Sequence, residues 1–248
     1  MKAPDPEKRC TEFTVTVADR ILLLADKPIP TQLLPPPQSA DTHWQRRVRE
    51  TPALFNGTVF VMTPPTSLHA TSSGVQFDGQ LHPVEFRTFL YWREVAWQAG
   101  VIDAFGSAIL LSAEGHIILG TAGPETINSG SAYFFGGFLD PRDIDPDGIA
   151  DIAGSTAREL QEETGLVVGF DVDPAPGFVI ASSARQVSFG VVYRARERTD
   201  ALIGRIHRHL RDENDLEITA LKIVRSHEDA SDPSIQPFTR AVIGHLFG

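Results

Sequence analysis

Three glutamates crowd one short stretch of the sequence, "ARELQEETGL" at residues 157–166. Glu159, Glu162 and Glu163 are spaced i, i+3 and i+4, so a helix turning about 100° per residue would place all three on one face. Carboxylate oxygens grouped in this way suit a hard cation such as Mg²⁺ or Mn²⁺, which completes its coordination shell with water and phosphate oxygens. The residue types and their spacing therefore indicate metal-assisted phosphate chemistry.

An ordinary solvated helix face explains the same glutamates without any function. Arg158 and Glu162 are spaced for an i, i+4 ion pair, which contributes only about 0.2–0.5 kcal/mol to helix stability. Acidic proteins commonly carry such faces, and this chain has a formal net charge of −10. A structural acidic helix in an unrelated α/β protein therefore stays open as an alternative.

The residues around the stretch predict how it is positioned. Asp145 before Pro146 is typical of a helix N-cap followed by proline, and Gly165 is typical of a helix C-terminus. These signals predict a helix from about Pro146 to Thr164. A compact stripe of weakly apolar residues would lie beside the acidic face, so the helix could pack on a sheet and hold the glutamates at the rim of the core.

The rest of the chain alternates strand and helix patterns without a strict β-α-β rhythm. Two apolar runs around residues 113–115 predict a β-hairpin, and later apolar segments predict further strands and two more helices. The pattern favours a mixed sheet sandwiched by helices over residues 101–248, in the α+β or α/β class. Residues 1–100, with an aromatic-rich helix predicted from about Val84 to Gln98, predict a smaller α+β domain that shapes a substrate pocket or mediates dimerisation.

The segment from Arg158 to Leu166 resembles the signature of the Nudix hydrolase superfamily, R-E-U-x-E-E-x-G-U with U aliphatic, at every fixed position. Gly136 and Gly137, which follow an aromatic strand, are similar to the lead-in of that family. The resemblance covers residues 101–248 and implies a Nudix-like α/β/α sandwich. It also implies Mg²⁺-dependent or Mn²⁺-dependent hydrolysis of a nucleoside diphosphate linked to another moiety.

The resemblance implies a role for each signature residue. The metal ligands would be Glu159, Glu162 and Glu163, with Glu162 also counted among the catalytic residues. Arg158 and the two glycines would contact the substrate.

One part of the sequence departs from the family pattern. The family places a glycine fourteen residues and a glutamate eight residues before the signature arginine, and this chain has Ile144 and Ala150 there. Gly137 lies 21 residues before Arg158, seven more than the family spacing. Asp151 is the nearest candidate to replace the missing glutamate, because a helical wheel places it beside the acidic face.

Two further pairs of residues are candidates on the strength of the resemblance. The superfamily often takes its general base from a loop before a late strand, where this chain has Glu213 and Glu217 in "RDENDLEITALKIV". Arg185 and Gln186 lie between two predicted strands and could bind the substrate, since a guanidinium grips phosphate bidentately. Polar residues at a strand entry and a solvated turn arginine are the alternatives.

A short likeness bears on the substrate. The segment "WQRRVRETPALFNG", residues 44–57, is similar to the N-terminal part of Nudix proteins that hydrolyse UDP-glucose and UDP-galactose. It implies a nucleotide sugar such as UDP-glucose, while ADP-ribose, dinucleotides and coenzyme A stay open. Ala150 and the longer loop also leave open a non-catalytic, nucleotide-binding regulatory module on the same fold.

The composition restricts the class of partner. A net charge of −10 disfavours nonspecific binding to nucleic acid or an anionic membrane, which leaves a small-molecule nucleotide as the expected partner. The single cysteine, Cys10, excludes an intramolecular disulfide framework. The charged, proline-rich start has no signal-peptide core, and no apolar run reaches the ~20 residues of a membrane span, so we expect a cytoplasmic protein. Homodimerisation stays open.

Overall fold

The computed structural model describes residues 12–213 and 217–248, so Cys10 lies outside the described residues. The strands of the described chain are β1 (Thr14–Ala18), β2 (Arg20–Leu24), β3 (Thr58–Thr71), β4 (Gly74–Glu85), β5 (Ile102–Leu111), β6 (Ile117–Ala122), β7 (Ala132–Tyr133), β8 (Val172–Pro174), β9 (Phe178–Ser182), β10 (Gln186–Ala195) and β11 (Ile218–Val224). The helices are α1 (Pro37–Glu50), α2 (Phe86–Glu94), α3 (Ile152–Thr164), α4 (Thr199–Glu213) and α5 (Pro237–Phe247). No helix within these ranges is long and apolar enough to cross a membrane.

One mixed sheet connects the two halves of the chain. Its main path runs β1-β9-β10-β5-β3-β4-β2, and β6, β7, β8 and β11 pair outside that path. The central strand β5 is parallel to β10 and antiparallel to β3 and β6, so the predicted hairpin of β5 and β6 is present. Strands from residues 1–100 and from residues 101–248 therefore meet at the β3–β5 and β1–β9 pairs, and the predicted domain boundary near residue 100 stays a prediction.

The helices cover both faces of the sheet. On β5, Leu110 belongs to a buried cluster with Leu160 of α3, whereas the neighbouring Ile109 belongs to a cluster with Phe238 of α5. Successive side chains of a strand point to opposite faces, so this strand contributes to both layers of the core. The predicted α/β/α sandwich with a mixed sheet is confirmed.

The aromatic helix α2 packs residues 1–100 against the later part of the chain. Phe89 and Trp92 are buried with Val61 of β3. The ring of Phe138 lies edge-on to that of Phe89, with 4.8 Å between centroids. This helix is shorter than the predicted range of Val84 to Gln98, because β4 continues to Glu85 and Val95 no longer extends the helix.

The helix predicted to begin near Pro146 begins at Ile152. Asp145 does not cap a helix, because its carboxylate accepts a hydrogen bond from the backbone N–H of Ile149 at 2.8 Å. Gly148 has φ 78°, a left-handed conformation that turns the chain back, and Ile149 then bridges to β2. A tight turn and contacts with a distant strand therefore override the local helix-start signal.

Candidate functional site

The three glutamates of α3 line one cavity. Glu159, Glu162 and Glu163 face a space of about 880 Å³. Leu160 and Thr156 on the same helix are fully buried. Packing of those residues fixes the rotation of α3, so its acidic face has to point along the cavity.

The double glycine brings the backbone against these glutamates. Gly136 has φ 145°, and a Cβ there would lie 2.3 Å from the carbonyl oxygen of Gly106, so a side chain is excluded. The Gly136 N–H donates a hydrogen bond of 2.8 Å to Glu163. A Cβ on Gly137 would lie 3.0 Å from the carboxylate of Glu159. Gly136 therefore allows the backbone to lie against β5, and Gly137 allows it to lie against the acidic face of α3.

Arg158 connects the glutamates to the loop before α3. Its guanidinium donates to Glu162 and to Asp143 at 3.0 Å each, and also to Glu159. Burial lowers the pKa of Arg158, but the hydrogen bond to Asp143 and the charge of Glu159 raise it overall. Asp143 is buried and was not singled out in the sequence, because nothing local shows which acid of the loop reaches the arginine.

Asp151, the candidate to replace the missing family glutamate, serves as the N-cap of α3. Its exposed carboxylate accepts a hydrogen bond from the Gly154 N–H at 2.9 Å. Asp151 is not among the described residues that line this cavity or a second one beside the glutamates. The carboxylate that reaches Arg158 from this loop is therefore Asp143.

Glu217 joins the glutamates of α3 from the far side of the sequence. It directly precedes β11, its carbonyl accepts from the Gly123 N–H at 2.8 Å, and it lines the same cavity. The side chain of Glu213, at the end of α4, lies outside the described part of the chain. A second cavity of about 790 Å³ is lined by the same four glutamates. We name these residues the glutamate wall: Glu159, Glu162, Glu163 and Glu217.

The glutamate wall concentrates negative charge. Burial raises the pKa of Glu159, against the opposing charge of Arg158. Burial and the charge of Glu163 raise the pKa of the nearby Tyr133 hydroxyl to about 12. Burial is the larger cause of both shifts, and the neighbouring carboxylates add to them.

The donor chemistry of the wall fits Mg²⁺ or Mn²⁺, which prefer carboxylate oxygens. In the parts of the chain that are described, no three acidic, histidine or cysteine side chains are already arranged to hold an ion. Arg158 instead bonds to Glu159 and Glu162. Binding of an ion would therefore require these carboxylates to turn from Arg158 toward the cavity.

The structure brings Gln186 to the cavity but not Arg185. Gln186 lines the cavity and its side-chain amide donates to Asp103 at 3.0 Å. Arg185 is exposed, and its guanidinium lies 5.9 Å from the centre of the Trp97 ring. Sequence reasoning did not identify Arg142, a cation that lines the cavity and pairs with Asp140, since it lies in the irregular loop.

A second group of three residues lines the same cavity, and the sequence identified one of them, Gln186, as a candidate. Asp103 of β5 is only 4% exposed, and burial raises its pKa to about 6, against the hydrogen bond from Gln186. Arg93 of α2 lines the cavity and donates to Asn128. An acid inside an apolar strand could have signalled this site, but its partners come from distant segments. We name these residues the Asp103 wall: Asp103, Arg93 and Gln186.

Comparison with known proteins gives distant structural likenesses. No protein-family model and no curated protein match the chain. The MutT protein from Methanosarcina mazei Go1 is 17% identical over 58% of this chain and 92% of its own, with a TM-score of 0.38. The Nudix hydrolase RenU from M. smegmatis is 14% identical over 58% of this chain and 83% of its own, with a TM-score of 0.39.

A third solved structure, NrtR from Shewanella oneidensis complexed with a 27mer DNA, is 17% identical. The likeness spans 58% of this chain and 59% of that protein, with a TM-score of 0.37. Of these three structures, RenU has in its name the superfamily that the nine-residue signature resembles.

Proposed function

We propose that the chain hydrolyses the diphosphate bond of a nucleoside diphosphate linked to another moiety, with Mg²⁺ or Mn²⁺ held by the glutamates of α3. One observation carries the proposal: a complete signature helix and Glu217, distant in sequence, line one cavity beside the double glycine. A volume of about 880 Å³ lies in the range of small-molecule sites. An acidic protein can hold an anionic diphosphate there because a divalent ion would offset the charge of both.

Each residue has a separate role in this reaction. Glu159 and Glu163, with Glu162, would hold the ion. When bound, Mg²⁺ would neutralise the diphosphate, polarise the attacked phosphorus and activate a water molecule. Glu217 would accept the proton of the attacking water as its oxygen bonds to phosphorus and the bridging P–O bond breaks. Arg142 at the cavity can bind a phosphate oxygen pair bidentately.

A nucleotide sugar such as UDP-glucose is the first substrate that we propose. The likeness of residues 44–57 to UDP-sugar hydrolases motivates it, and Leu54 and Phe55 of that segment line the cavity. We propose that residues 1–100 shape the substrate pocket, since Phe86 and Arg93 line it as well. ADP-ribose, dinucleotides and coenzyme A are the other substrates to compare.

A non-catalytic nucleotide-binding module is the second candidate. Arg158 bonds to two of the three signature glutamates, and Ala150 stands where the family has a glutamate. Such a module would bind nucleotides without turnover.

A substrate screen with a paired variant tests both candidates. The full chain is incubated with these nucleotides and Mg²⁺ or Mn²⁺, and phosphate is measured after coupled phosphatase treatment. We expect multiple turnovers, with nucleotide sugars fastest, and a loss of about 10²–10³-fold in Glu163→Gln. Glu228→Gln, exposed and outside the cavity lining, is the matched control with an unchanged rate.

The screen separates the candidates by its outcome. Binding of nucleotides without turnover of any of them would replace the hydrolase by the non-catalytic module. Turnover at an unaltered rate in Glu163→Gln would remove the glutamates of α3 from the reaction.

A further inference from the structure

Asp103 lines the cavity and carries a buried hydrogen-bond acceptor that has no partner among the described residues. Its side chain is 4% exposed and lines the cavity. Gln186 donates to Oδ2 at 3.0 Å, whereas Oδ1 has no hydrogen-bond partner among the described residues. A buried carboxylate oxygen without a donor costs free energy, so an unmet acceptor at a cavity indicates a group that arrives with a ligand.

The backbone holds this carboxylate rigidly. Asp103 lies on β5 between two strands, opposite Gln186 of the parallel β10 and opposite Val61 of the antiparallel β3. Its N–H donates to the Arg185 carbonyl at 2.8 Å. These pairings fix the backbone of Asp103, and the hydrogen bond from Gln186 to Oδ2 orients its carboxylate.

Charge and shape around Asp103 restrict what can bind there. Arg93 partly offsets the carboxylate, because its charge lowers the otherwise raised pKa of Asp103, but its guanidinium donates to Asn128. Aromatic side chains complete the lining, with Phe86 buried in the core and Phe55 82% exposed at the cavity. A phosphate would be repelled by the carboxylate, whereas a neutral group with an N–H or O–H and an apolar face fits.

We propose that the Asp103 wall binds the neutral, hydrogen-bond-donating moiety of the substrate, with Oδ1 of Asp103 as the acceptor that selects it. The proposal rests on the proposed function for the placement of the diphosphate at the glutamate wall. Asp103 is therefore a specificity-determining residue, and the moiety is either a nucleoside or a sugar, which share neutral N–H or O–H donors.

Binding of monoesters, which lack the diphosphate bond, tests the proposal separately from hydrolysis. The probes are UMP, AMP, glucose 1-phosphate and inorganic phosphate, titrated calorimetrically into the full chain with Mg²⁺ present. In Asp103→Asn the amide oxygen can accept from Gln186, so an N–H replaces the acceptor at the cavity. A hydrogen bond to a charged group accounts for roughly 10–100-fold in affinity, so we expect that loss for at least one ester and none for phosphate.

Two further variants keep the test decisive. Asp103→Leu replaces the acceptor with an apolar side chain and should lose the same ester affinity as Asp103→Asn. Asp173→Asn, which changes an exposed carboxylate paired with Arg196 outside the cavity, should change nothing. If only UMP and AMP lose affinity, the nucleoside binds at the Asp103 wall. If only glucose 1-phosphate loses affinity, the sugar binds there.

The outcomes distinguish this inference from the proposed function. Unchanged affinities of all esters in both Asp103 variants, or no measurable ester binding to the wild type, would overturn the inference even if hydrolysis is found. A loss of ester binding in a chain that hydrolyses nothing would overturn the hydrolase and leave the inference standing.

Discussion

The two walls of the cavity hold carboxylates in opposite circumstances. In the glutamate wall, Arg158 donates to two glutamates and a backbone N–H donates to a third. In the Asp103 wall, a single carboxylate is buried deeply and one of its oxygens lacks a donor in the described structure. Acids with several partners can stay ionised close together, whereas a buried acid with an unmet oxygen can accept a hydrogen bond from a ligand. The difference separates a wall suited to cations from a wall suited to neutral donors.

The largest expected effect is on the glutamate wall, at the proposed general base. Glu217→Gln should lower kcat by about 10²–10⁴-fold, because an amide cannot accept the proton of the attacking water. The measurement is kcat of the wild type and the variant at saturating substrate and Mg²⁺. Glu213→Gln is the matched comparison, and a greater loss in that variant would transfer the role of base to Glu213.

A smaller effect should follow when Arg158, which donates to the glutamate wall, is replaced. Arg158→Met leaves Glu159, Glu162 and the buried Asp143 without their shared donor, so we expect kcat to fall about 10–100-fold and stability by about 1–3 kcal/mol. Chemical denaturation and the rate as a function of Mg²⁺ concentration measure the two effects. Arg198→Met changes an exposed ion pair elsewhere and should alter neither.

A substitution in the Asp103 wall should raise the stability of the protein, whereas Arg158→Met should lower it. The folded-state pKa of Asp103 is about 6 and the ordinary value is 3.8, so the folded state binds more protons between these values. The free energy of unfolding therefore falls as the pH rises from about 4 to about 6. Asp103→Asn removes this term and should stabilise the protein at pH 7 by about 1–3 kcal/mol.

Denaturation at two pH values checks this sign. The advantage of Asp103→Asn over the wild type should vanish near pH 4, where the aspartate is protonated in the folded state. An advantage that is equal at both pH values would show that burial of the charge is not its cause.

The smallest expected effect concerns Asp151, which belongs to neither wall. Asp151→Ala removes the N-cap of α3 and should cost about 1 kcal/mol of stability with an unchanged kcat. Asp151→Ser, which keeps a capping oxygen, should recover most of that stability. A fall in kcat of more than tenfold in Asp151→Ala would instead make Asp151 a member of the glutamate wall.

Much of the fold could be predicted because its signals are local. The β5–β6 hairpin followed from two apolar runs around a turn, and α3 ends at Gly165, which has φ 71° as its C-terminal signal requires. The start of α3 was predicted wrongly because Asp145 and Pro146 resemble a helix start. Contacts of Ile149 with β2 decide that segment, and such contacts cannot be read from neighbouring residues.

The candidate site was only partly predictable for the same reason. Helical spacing alone groups Glu159, Glu162 and Glu163, and glycine chemistry explains why Gly136 and Gly137 lie against them. The sequence does not show that Arg185 lies away from the cavity. Its guanidinium lies over the ring of Trp97, a residue distant in sequence.

The sequence by itself determined that Glu159, Glu162 and Glu163 share one face, since residues three and four apart lie on the same side of a helix whatever surrounds them. It also determined the alternation of strands and helices, which follows from local apolar periodicity. Only the tertiary structure decided that Asp143 pairs with Arg158, that Glu217 joins α3, and that Asp103 is buried at the same cavity. These features depend on which distant strands become neighbours, because desolvation and hydrogen-bond partners exist only after the sheet has assembled.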